Sequence, residues 1–89
     1  MANDDASLKS RFEQAVEQSK SLEKRPDSAN LLKLYALFKQ ASEGDVTGER
    51  PGAMDFVGAA KWTARDALRG TAPADAMKSY IALVDELKG

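Results

Sequence analysis

Apolar positions are densest in the run Leu31-Leu32-Lys33-Leu34-Tyr35-Ala36-Leu37-Phe38-Lys39-Gln40-Ala41. Wound at about 3.6 residues per turn, Leu31, Leu34, Tyr35, Phe38 and Ala41 share one face, the expected core stripe. Leu32 and Lys39 fall beside that face, with Tyr35 between them. Asp27 stands where an N-cap is needed and Gly44 where a C-cap is needed, which predicts a helix over about 28–43.

Three further segments carry helical spacing. Leu8, Phe12, Ala15, Val16 and Leu22 recur with Ser19 on one stripe, with Asp5 or Ser7 available as a cap. This predicts a first helix over about 8–24, closed by Pro26, which also biases Arg25 toward extended backbone. A shorter third helix is expected over about 56–69, holding Lys61 and Trp62 and ending before Gly70. Thr71 is the expected cap of a fourth helix over about 72–88, with Pro73 in its first turn. Its stripe, Ala76, Met77, Tyr80, Ile81, Val84 and Leu87, is the cleanest in the chain. Between the second and third helices, Gly44 to Asp55 reads as a loop with three glycines and Pro51. Loops of that length in compact domains are often functional or packed down. No strand alternation or internal repeat occurs, so the expected fold is all-α, a four-helix bundle in one domain over residues 1–89.

Composition narrows the chemistry. At 89 residues the chain can bury one modest core, removing roughly 60% of the unfolded surface from water. Thirteen Lys+Arg balance fourteen Asp+Glu, which argues against nucleic acid as a partner. There is no cysteine and no histidine, which removes disulfides, histidine bases and His- or Cys-dependent nucleophiles, and makes zinc unexpected. No stretch approaches the ~20 apolar residues of a membrane span. The acidic start Asn3-Asp4-Asp5 is unlike a signal peptide, so a cytoplasmic location and no transmembrane segment are expected.

The side chains of the second helix suggest a ligand class. Tyr35, Lys39 and Leu32 set a hydroxyl, a cation and an aliphatic group where the core stripe meets solvent. That mixture suits an anionic head joined to an apolar body. Taken singly, Lys39 and Lys61 read as solvated surface lysines and Trp62 as a packing residue, while Tyr80 on the strongest apolar stripe reads both as core and as a ligand contact.

The blocks Leu34-Tyr35-Ala36-Leu37-Phe38-Lys39-Gln40-Ala41, Gly44-Asp45, Glu49-Arg50-Pro51-Gly52, Asp55-Phe56, Ala60-Lys61-Trp62 and Asp75-Ala76-Met77-Lys78-Ser79-Tyr80-Ile81 occur together in this order. In this combination the chain resembles the acyl-CoA-binding protein family, in its small free-standing form, from about Leu8 to Lys88. The resemblance implies a skewed up-down-down-up bundle. It implies non-covalent binding, buffering and intracellular transport of medium- to long-chain fatty acyl-CoA, with no catalysis and no cofactor. It assigns Tyr35 and Lys39 to the nucleotide end, Lys61 to the 3′-phosphate, Tyr80 to the adenine and ribose end, and Lys20 to the phosphates. Phe38 falls where many members carry a second tyrosine. Val57 and Ala59 stand where many carry lysine or another polar residue.

Coenzyme A brings several negative charges, which Lys39 and Lys61 can meet with charge-assisted hydrogen bonds worth about 1.5–3 kcal/mol each. The acyl chain gains about 0.8 kcal/mol per methylene removed from water. Leu31, Leu32 and Met54 are the apolar candidates to cover it. The expected protein is a monomer that hands its ligand to acyl-CoA-consuming enzymes. The competing expectation, motivated by Phe38, Val57 and Ala59, is a helical protein-interaction module of the same fold with weak or no ligand affinity.

Overall fold

The computed structural model describes the backbone from Asp4 to Gly89 and side chains from Ser7 onward. Four helices are present: α1 (Asp4–Ser19), α2 (Ser28–Glu43), α3 (Phe56–Asp66) and α4 (Pro73–Lys88). No strand occurs among the described residues.

The boundaries of α2 follow its local signals. Asp27 Oδ1 accepts a hydrogen bond from Asn30 N at 2.8 Å, and Gly44 leaves the helix at φ 84°. A positive φ there costs glycine nothing, whereas a Cβ would be strained. Elsewhere the ends differ from those expected. α1 begins four residues before the expected Leu8, so Ser7 lies inside it; the side chain of Asp5 lies outside the described residues. α1 also stops at Ser19, well short of Pro26. There Ser19 Oγ donates to Val16 O at 2.7 Å while Lys20 N and Ser21 N make i→i−3 bonds, tightening the chain into a turn. α3 ends at Asp66 where 56–69 was expected, because Leu68 N and Arg69 N likewise bond three residues back. α4 is capped by Ala72 and not Thr71, and no side chain bonds its first turn. Pro73 at the first helical position needs no donor there.

Cross-helix contacts establish the topology. Lys88 Nζ donates to Gln18 Oε1 at 3.2 Å, joining the C-terminal ends of α1 and α4, which therefore run parallel. Gln40 Nε2, late in α2, donates to Thr71 O just before α4 at 2.8 Å, so α2 and α4 are antiparallel. Lys61 meets Tyr35 and Arg65 meets Glu43, so α3 runs parallel to α2. The directions are up-down-down-up, and the spatial order is α1, α4, α2, α3.

The core forms where α4 meets α1 and α2. Phe12 and Ala15 from α1, Leu34, Leu37 and Ala41 from α2, and Ala76, Tyr80 and Val84 from α4 are all buried. The α4 stripe matches the sequence expectation, and so does the α1 stripe as far as Ser19, whereas Leu22 falls beyond the end of α1. The face of α2 does not. Leu34 and Ala41 are buried with Ala36, Leu37 and Gln40, while Leu31 and Tyr35 are half-buried and Phe38 is exposed. α2 packs against α4 on one side and α3 on the other, so its buried surface is wider than one stripe and rotated from the one expected.

The 44–55 loop is packed down onto α3. Val46 is buried beneath it. Trp62 Nε1 donates to Gly48 O at 3.3 Å, Arg50 Nε to Thr63 Oγ1 at 3.0 Å, and Arg65 Nη2 to Gly44 O at 3.4 Å. One polar knot ties this loop to the rest. Asp45 Oδ1 accepts from Gln40 Nε2 and from Gly70 N, both at 2.8 Å, linking α2, the loop and the α3–α4 turn. These bonds, first the Gln40 amide and then the Gly70 N–H, hold the Asp45 carboxyl below its ordinary value. A lowered folded-state pKa stabilises the fold above the unfolded value of 3.8, and that contribution is lost as pH falls through the lower folded value. Asp45→Ala is therefore expected to lower the melting temperature by several degrees at neutral pH. The gap from the parent should close below pH 3.8, as calorimetry across pH would show. A gap constant with pH would show that the carboxylate contributes nothing through its charge.

Candidate functional site

The surface between α1 and α2, above α4, is an open groove of about 540 Å³. Phe12 and Val16 line it from α1, Phe38 and Ala41 from α2, and Met77 from α4, with Lys9, Glu13 and Glu17 at its edge. α1 and α2 each pack on α4 without packing backbone to backbone on each other, which leaves the trough. Phe38 closes its wall by stacking on Phe12, with ring centroids 6.0 Å apart and planes 23° apart. Phe12 in turn meets Tyr80 edge-on at 5.2 Å. Such a triple fixes the rings of the wall against the core.

The polar part lies on the α3 side of Phe38. Tyr35, one turn earlier on α2, is half-buried, and Lys61 Nζ of α3 stands 4.9 Å from its ring centroid. A cation over an aromatic face at an exposed site is worth about 0.5–1 kcal/mol, which orients the ammonium without neutralising it. Lys39, one turn after Tyr35, donates to Glu43 Oε2 at 2.9 Å. Leu32 is half-buried one turn before Tyr35. An aliphatic side chain, a phenol and two ammonium groups thus follow one another along the edge where α2 meets α3.

Two of the other residues singled out from the sequence stand apart. Lys20 lies in the turn after α1, exposed and paired with Glu17 at 3.2 Å. With Leu31 and Pro26 it lines a separate hollow of about 340 Å³. Tyr80 is a core residue, 4% exposed, whose hydroxyl donates to Ser19 Oγ at 3.0 Å. Ser19 borders the same hollow as Lys20, so Tyr80 reaches that surface only through Ser19. Met54 is 97% exposed in the loop and covers nothing. Val57 is exposed and Ala59 is buried, so only the first faces solvent at the start of α3.

Sequence reasoning passed over Phe12, Met77, Glu43 and Arg65. The sequence pattern presents Phe12 and Met77 only as core stripe, and nothing in their spacing says that a groove opens above them. The Lys39–Glu43 spacing of four was a legible signal for an ion pair. Arg65, at 3.8 Å from Glu43 Oε1, was not legible because the contact crosses from α3 to α2.

The fold and this edge define an all-α domain with an aromatic groove and, on the α3 side of Phe38, two ammonium groups beside a phenol. A profile described as Acyl CoA binding protein matches residues 9–84. The chain is 50% identical over 76 residues to acyl-CoA-binding protein homolog 1 of Caenorhabditis elegans, covering 85% of this chain and 88% of that protein. It is 46% identical over 76 residues to the Drosophila melanogaster acyl-CoA-binding protein homolog, with the same coverage. Among solved structures, Oryza sativa acyl-CoA-binding protein 2 superposes with a TM-score of 0.88 at 36% identity, covering 93% of this chain and 90% of that one. The chain belongs to the acyl-CoA-binding protein family.

Proposed function

We propose that this protein binds medium- to long-chain fatty acyl-CoA esters without covalent chemistry, and that it buffers and carries them in the cytoplasm between the enzymes that make and consume them. Family membership over residues 9–84 supports the ligand class. The observation that carries the reading is Lys61 held over the Tyr35 ring with Lys39 one turn away, beside an aromatic groove. The ammonium groups would meet the phosphates of coenzyme A, and Tyr35 offers a ring and a donor to the nucleotide. Leu32, Phe38 and the groove wall would take the apolar chain, with Lys20 toward the phosphates and Tyr80, acting through Ser19, toward the adenine and ribose. About ten methylenes removed from water contribute on the order of 8 kcal/mol, comparable to several charge-assisted bonds. Binding therefore needs both halves of the site and no nucleophile.

Adding palmitoyl-CoA should change Trp62 fluorescence, since the indole is bonded to the loop beside α3. At free ligand one hundred times the dissociation constant, linkage stabilises the folded state by about 2.7 kcal/mol. Absence of both a fluorescence change and a melting shift would overturn this reading in favour of a protein-interaction module.

A further inference from the structure

The carboxylate of Glu43 is bonded to Lys39, one of the two cations assigned to the ligand. Its Oε2 accepts from Lys39 Nζ at 2.9 Å, and its Oε1 is 3.8 Å from Arg65 Nη2. The bond from Lys39, the charge of Lys39 and the charge of Arg65 all hold the Glu43 carboxyl below its ordinary value, so it is an anion at neutral pH. Its side chain is half-exposed while that of Lys39 is 30% exposed, so an incoming anion meets the carboxylate first. Lys61, by contrast, forms no ion pair among the described residues and rests on Tyr35. The two lysines are therefore in different states: one available, one occupied.

We infer that Glu43 is a built-in competitor for Lys39 that sets the affinity of the site for anionic ligands. The inference rests on the reading that Lys39 meets the phosphates. A lysine has three donors and can touch two anions, but the anions then repel each other at close range. A phosphate arriving at Lys39 must share the ammonium at that cost or displace Glu43. Arg65 supplies the place to which Glu43 withdraws. It is itself bonded to Gly44 O, and its side chain is only 15% exposed, so it stays on the α2–α3 seam. The arrangement lowers affinity and also keeps the Lys39 side chain from wandering when no ligand is present.

The test is palmitoyl-CoA titration of the parent, Glu43→Gln, Lys39→Ala and the double variant at low and high salt. Glu43→Gln should bind about two- to fivefold more tightly than the parent at low salt, the scale of one exposed ion pair, and lose that gain at high salt. The gain should vanish in the Lys39→Ala background. A tighter complex cannot arise from poor folding, and Glu43→Ala provides a second removal of the charge. Equal or weaker binding by both Glu43 variants would overturn the inference, showing that the carboxylate positions Lys39 and does not compete for it. A gain that persists without Lys39 would also overturn it. A parent that binds no palmitoyl-CoA would instead defeat the acyl-CoA reading, and this inference with it.

Discussion

Tyr80→Ala is expected to cost about 3–5 kcal/mol of folding stability, the range for deleting a buried aromatic ring. Tyr80 is 4% exposed, packs edge-on against Phe12 and bonds to Ser19, so one ring links α4 to both the wall of the groove and the end of α1. A domain of 89 residues has a total stability of roughly 5–13 kcal/mol, so the loss removes a large share of it. The melting temperature should fall on the order of 20 °C. Urea unfolding should show a lower midpoint with an unchanged slope. Tyr80→Phe separates the ring from its hydroxyl. It should cost only about 1 kcal/mol, the net value of one hydrogen bond. A loss below 1 kcal/mol in Tyr80→Ala would contradict the role of the ring as a junction. Acyl-CoA affinity in the folded Tyr80→Phe variant then asks whether the phenol also serves a ligand.

Lys39→Ala and Lys61→Ala are each expected to weaken palmitoyl-CoA binding by tenfold or more, which corresponds to about 1.5–3 kcal/mol per charge-assisted contact. Both side chains lie at the surface, and their existing partners are a screened ion pair and an aromatic face, so unliganded stability should change by less than about 1 kcal/mol. The two variants should differ in one respect. Removing Lys39 also leaves Glu43 with Arg65 as its one remaining cationic partner among the described residues. Titration calorimetry at two salt concentrations distinguishes a lost phosphate contact, whose effect shrinks with salt, from a distorted groove, whose effect does not. Unchanged affinity in both variants would refute the assignment of the polar end.

The site was legible in the sequence to the extent that it lies on one helix. Leu32, Tyr35, Phe38 and Lys39 follow one another at spacings that a helix turns into neighbours, and the structure places them along one edge of α2. Lys61 stands far along the chain, and only the packing of α3 parallel to α2 brings it over Tyr35. The groove itself was not legible. It exists because α1 and α2 both pack on α4 and leave space between them, a relation among three elements that no local pattern records.

The sequence by itself determined the number of helices, their type, the caps of α2, the proline start of α4 and the buried stripe of α4. Each depends on residues within a turn or two of one another, where propensity, capping and period act. Only the tertiary structure decided that α1 stops at Ser19, that α2 buries Ala36, Leu37 and Gln40 while exposing Phe38, and that Glu43 is shared between Lys39 and Arg65. Those outcomes turn on which surfaces meet, and a helix with apolar groups on more than one side cannot choose its buried face until its neighbours arrive.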